Sequence, residues 1–116
     1  MGEYNVDKVE LNFNSKLSMV VETSQFKTKP GISDAQLLEA SQEAHDGFLS
    51  KCKGFISREL LKADDGTWFD IVHFETMEDA QAAMQNFLGN PSTKAFEEAI
   101  DPATAQMRHF EVAKKY

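Results

Sequence analysis

Residues 54–79 read "GFISRELLKADDGTWFDIVHFETMED", and the way this stretch folds decides the fold of the whole chain. Two runs carrying apolar and aromatic residues flank Asp64-Asp65-Gly66, a three-residue turn signal whose glycine suits the left-handed position of a hairpin loop. With Ala63 opposite Thr67, alternation at period two puts Ile56, Arg58, Leu60 and Lys62 on one face with Trp68, Asp70, Val72 and Phe74. Arg58 and Asp70 then lie diagonally across the hairpin as a candidate ion pair. The other face carries Phe55, Ser57, Glu59 and Leu61 with Phe69, Ile71 and His73.

On the N-terminal side, residues 1–16 show weak periodicity and read as an arm outside the domain, which spans residues 17–116. "LSMVVETSQFKTK" (17–29) reads as a strand that stops at Pro30-Gly31. Ser33 and Gln36 then form a capping box, and a helix is expected from there to about Lys51. Plotted at 100° per residue, its apolar arc holds Leu37, Leu38, Ala44, Phe48, Leu49 and Cys52, and Ser41 and His45 fall inside that arc. On the C-terminal side, Thr76 opens a second helix with Met77, Ala80, Ala83, Met84, Phe87 and Leu88 on one stripe. Pro91 begins a short helical turn to about Ile100, and "TAQMRHFEVAKK" (104–115) is the last strand. The order is strand, helix, strand, strand, helix, strand, the ferredoxin-like α+β plan with a four-stranded antiparallel sheet.

Composition narrows the functional classes. In 116 residues the net charge is −7 and the sequence pI about 4.9, which argues against nucleic acid or an anionic membrane as the partner. One cysteine, Cys52, permits no internal disulfide and reads as a small core residue, so a reducing, cytoplasmic setting is expected. The start lacks the plan of a signal peptide, and no apolar run is long enough to span a membrane. Met19, Met77, Met84 and Met107 read as core filler, and Glu97, Glu98 and Asp101 as a solvated face. His73 and His109 fall on strands that this topology separates, so no metal site is expected, and no phosphate-binding loop or nucleophile elbow occurs.

With this order established, "REL…DDGTWFDIVHFETMEDAQAAMQNF" and "IDPATAQMRHFEV" resemble the dimeric α+β barrel superfamily, within it the antibiotic biosynthesis monooxygenase-like family. The resemblance covers about residues 17–114, and its most telling part is Phe74-Glu75-Thr76-Met77-Glu78-Asp79-Ala80. It implies a homodimer and an activity among cofactor-free oxygenases of polyphenols and quinols, haem-degrading enzymes, isomerases or members without known activity. The haem-degrading pattern of Asn, Trp and His would fall near Thr23, Ala83 and residues 97–99, and those residues are not present there.

Two functional readings follow. In the first, the chain is a homodimeric monooxygenase of an aromatic or quinol-type small molecule that needs no cofactor. His45 is its proton acceptor and Ser41 orients the substrate. In the second it is a non-catalytic ligand-binding or dimerisation module, and His45 is a core histidine bonded to a backbone carbonyl or water. Trp68, Arg58 and Asp70 are expected to brace a hairpin face that becomes the dimer interface. Should that face line the pocket instead, the three would bind an anionic aromatic ligand; the role of His73 depends on the same choice.

Overall fold

The computed structural model describes residues 19–116, so the expected arm at 1–16 lies outside the described residues. Strands β1 (Val20–Phe26), β2 (Phe55–Lys62), β3 (Trp68–Phe74) and β4 (Gln106–Glu111) form one antiparallel sheet in the order β2-β3-β1-β4. Helices α1 (Asp34–Gly47), α2 (Met77–Phe87) and the short α3 (Lys94–Ala99) complete the ferredoxin-like plan. No helix among the described residues is long and apolar enough to cross a membrane.

The two longer helices and the hairpin begin where their sequence signals lie, whereas the short α3 starts at Lys94, after a turn at Pro91. Ser33 Oγ accepts from the Gln36 amide at 3.1 Å and the Ser33 amide donates to Gln36 Oε1 at 2.8 Å, closing the capping box of α1. Thr76 Oγ1 accepts from the Asp79 amide at 3.1 Å and starts α2. In the hairpin the Ala63 amide donates to the Thr67 carbonyl at 2.8 Å, and Gly66 sits at φ 88°, so loop length and register are as the sequence indicates. α1 ends at Gly47 with Phe48 as its C-cap, earlier than expected, and Leu49–Lys51 continues as a 3-10 turn.

The helices cover the face of β3 that carries Trp68, Asp70, Val72 and Phe74, all buried. This corrects the expectation that Trp68, Arg58 and Asp70 face a second subunit. The physical reason lies in the neighbouring strand: β1 aligns Val20 and Phe26 with Phe74 and Trp68, so the largest apolar surface forms on this side. One core cluster, Phe26, Leu37, Ala40, Ala44, Trp68, Phe96 and Ala99, lies under α1 and α3. A second, Val20, Val72, Phe74, Ala80 and Ala83, lies under α2, whose alanines allow close approach.

Two further corrections concern single positions. A bulge between Phe55 and Ser57 turns Phe55 inward against Phe74 and pushes Ile56 out, the reverse of the expected alternation. α1 packs through Leu37, Ala40, Ser41 and Ala44, which leaves Leu38 51% exposed at the sheet margin. On the opposite side of the sheet, Val21, Phe69, Ile71 and His73 are half-buried, and Leu61 and Phe110 are exposed.

Candidate functional site

Between the two core clusters lies a cavity of about 260 Å³. β1, β3 and β4 supply its floor through Glu22, Ser24, Asp70, Val72 and Met107. Its walls are Leu49, Ala83, Phe87, Phe96 and Ile100, and Met84, Leu88 and Met107 carry exposed surface at its margin. The expectation that Met84 and Met107 are core filler is therefore corrected. α2 runs past the end of the second cluster, and its last apolar residues overhang the cavity instead of the sheet.

Strand register assembles the polar floor. Glu22 pairs with Val72 on one side and His109 on the other, and Ser24 pairs with Asp70 and Met107. Glu22, Ser24 and Asp70 are thus neighbours on a buried face, and His109 stands beside Glu22 with Nε2 2.8 Å from its Oε2. Burial pushes the Glu22 carboxyl above its ordinary 4.5; the bond to His109 opposes that rise and the nearby Asp70 charge adds to it. The result is a carboxylate that holds a proton more readily than usual, set against apolar walls. A buried carboxylate joined to an imidazole can accept a proton from a bound ligand and return it.

Asp70 is held differently. Arg58 Nε and Nη2 each donate to its carboxylate at 2.9 Å, the two side chains are only 5% and 8% exposed, and Nη1 donates to the Ser41 carbonyl at 3.2 Å. The guanidinium also lies 5.4 Å from the centre of the Phe96 ring. This bidentate, stacked pair ties β2 and β3 to α1 and α3, and it keeps a charge-balanced carboxylate at the cavity floor. The diagonal Arg58–Asp70 pairing expected from the hairpin is present, on the helix-covered face.

The other sequence-derived candidates, with Asp70, are distributed over four places. Asp70 lines the cavity, and Trp68 packs in the first core cluster with Lys62 Nζ 5.4 Å from its ring centre. Ser41 and His45 share an open cleft with Leu38, Gln42, Arg58 and Leu60 at the sheet margin, and the His45 ring meets Phe55 edge-on at 5.5 Å. His73 lies on the opposite face of the sheet, between Val21 and Ser57. Among the described residues no three His, Cys, Asp or Glu side chains cluster as a metal site would require. Cys52 Sγ donates to the Phe48 carbonyl, and burial, the larger effect, together with the Glu22 charge, raises its pKa.

Sequence reasoning missed Glu22 and the partner role of His109. The signal is there: in "VVETSQF" Glu22 and Ser24 share a face with Val20 and Phe26, an acid between apolar residues on a strand side that must be buried. His109 is 87 residues away, and only the β1–β4 register brings it to Glu22.

No family model matches the chain, and no curated protein matches it in sequence. Solved structures do. A variant of SnoaB, a cofactor-independent oxygenase from Streptomyces nogalater, aligns with a TM-score of 0.66 at 16% identity, over 84% of this chain and 96% of that one. A candidate antibiotic biosynthesis monooxygenase from Bordetella bronchiseptica aligns with a TM-score of 0.68 at 17% identity, over 80% of this chain and 95% of that one. Another candidate, from Caulobacter crescentus CB15, gives 0.65 at 11% identity, over 90% and 97%. The chain has the fold of the antibiotic biosynthesis monooxygenase-like proteins.

Proposed function

We propose that this chain is a cofactor-independent oxygenase of a small hydroxylated aromatic compound, that it works as a homodimer, and that the cavity above Glu22 is its active site. The observation that carries this reading is the buried Glu22 carboxyl on the floor of an apolar cavity, bonded to the half-buried His109 beside it. The shared fold with a named cofactor-independent oxygenase supports the reaction class.

The chemistry is balanced as follows. Glu22 takes a proton from the bound phenol or its tautomer, and His109 steadies the carboxyl group through the bond to Oε2. The carbanion so formed transfers electrons to dioxygen and forms a carbon–oxygen bond; the peroxide takes back the proton. Loss of water then leaves a carbonyl, so one oxygen atom enters the product and the other leaves as water. The apolar walls exclude bulk water, and burial raises the proton affinity of Glu22. His45 and Ser41, in the cleft at the sheet margin, are the competing assignment for the base and its partner.

The test is oxygen uptake by chelator-treated protein with dihydroxynaphthalenes and anthrones as substrates. One dioxygen consumed per quinone formed, at a rate proportional to protein, is expected. Saturable binding of these compounds with no uptake above the protein-free control would make the chain a non-catalytic binding module of the same fold.

A further inference from the structure

We propose that the cavity selects an uncharged hydroxylated aromatic ligand and turns away the matching carboxylate, and that Glu22 sets this choice; the inference rests on the cavity being the ligand site.

The floor of the cavity presents acceptors rather than cationic donors. Glu22 and Asp70 present carboxylate oxygens and Ser24 a hydroxyl, while no lysine, arginine or histidine is among the described residues lining the cavity. The nearest guanidinium, Arg58, directs Nε and Nη2 to Asp70 and Nη1 to the Ser41 carbonyl. His109 directs Nε2 to Glu22. A ligand hydroxyl therefore meets acceptors, whereas a ligand carboxylate loses its hydration beside like charge with only the Ser24 hydroxyl to replace it. Phe87 and Phe96 on the walls suit a flat ring in either case, so the aromatic part is not what discriminates. A cation gains little as well. Arg58 already balances the Asp70 charge, and His109 Nε2 already holds Oε2 of Glu22 at 2.8 Å.

The experiment is a calorimetric titration of the whole chain at neutral pH with three probes of one ring system: 2-naphthol, 2-naphthoate and 2-naphthylmethylamine. Naphthol is expected to bind at least about tenfold more tightly than either charged probe. In Glu22→Gln the naphthoate deficit should shrink, because the like charge is gone and the amide adds a donor. Naphthoate or the amine binding as tightly as naphthol to the wild-type protein would overturn the selectivity while leaving the cavity a ligand site. An unchanged naphthol-to-naphthoate ratio in a folded Glu22→Gln protein would overturn the role given to Glu22. Saturable binding of none of the three would remove the cavity as a ligand site, and the proposed function with it.

Discussion

Glu22 holds its proton more tightly in the folded chain than in the unfolded one, because burial penalises the carboxylate more than His109 relieves it. The stability it contributes is therefore fullest below its ordinary 4.5 and is lost as pH rises through the higher folded value. Glu22→Gln keeps the shape and cannot ionise, so its melting temperature should gain on wild type as pH rises above 4.5. A constant difference would show that the carboxyl is not perturbed. The same cause fixes the rate profile: oxidation needs ionised Glu22, so its ascending limb should have a midpoint above 4.5. Arg58 and Asp70 offer a second check at this scale. Arg58→Met or Asp70→Leu alone leaves a buried charge without its partner, at about 3 kcal/mol, whereas the double replacement should cost clearly less than the sum. Additive losses in denaturant unfolding would contradict the coupling. The Arg58–Asp70 pair is legible from the hairpin alone, since both residues belong to one local register. Glu22 and His109 are not, because their meeting depends on two strands far apart in the chain.

The elements carry their own punctuation. The capping box at Ser33, the turn at Gly66 and the Thr76 cap are short-range chemistry, and each lies where the sequence indicates it. The bulge that turns Phe55 inward is different, because only the rings of Phe74 and His45 around it reveal why alternation gives way. Two glycines separate the cost of backbone strain from that of contact. Gly54 (φ 78°) and Gly66 (φ 88°) both occupy the left-handed region, but a Cβ on Gly54 would lie 2.1 Å from Asp79 Oδ2 and one on Gly66 would meet nothing within 4 Å. Gly66→Ala should cost about 1 kcal/mol, and Gly54→Ala more, since it also displaces Asp79 from the first turn of α2. Equal losses in paired denaturant titrations would mean that the β2 approach does not press on that helix.

At the scale of the molecule, the order of elements and the antiparallel sheet are legible because hydrophobic period, caps and turns all point to one topology. Which face the helices cover is not, since Trp68, Val72 and Phe74 on one side compete with Phe69 and Ile71 on the other, and only the Val20 and Phe26 alignment tips the balance. The outer face still carries Val21, Leu61, Phe69, Ile71 and Phe110, and we propose that the homodimer forms through this surface. If two sheets meet there, the melting temperature should rise with protein concentration and the mass in solution should be about twice 13.0 kDa. A monomer whose melting point ignores dilution would assign that face to something other than a second copy. The fold is shared by a cofactor-independent oxygenase and by a protein of unknown function, and a fold does not by itself assign an activity, so the site has to be tested. The most direct measurement compares oxygen uptake on a dihydroxynaphthalene by Glu22→Gln and His45→Ala, each with substrate binding measured alongside. If the cavity is the active site, Glu22→Gln loses about a hundredfold or more in rate while still binding substrate, and His45→Ala stays close to wild type. Loss in His45→Ala with Glu22→Gln unimpaired would place the chemistry in the cleft at the sheet margin and contradict the role given to Glu22 and His109.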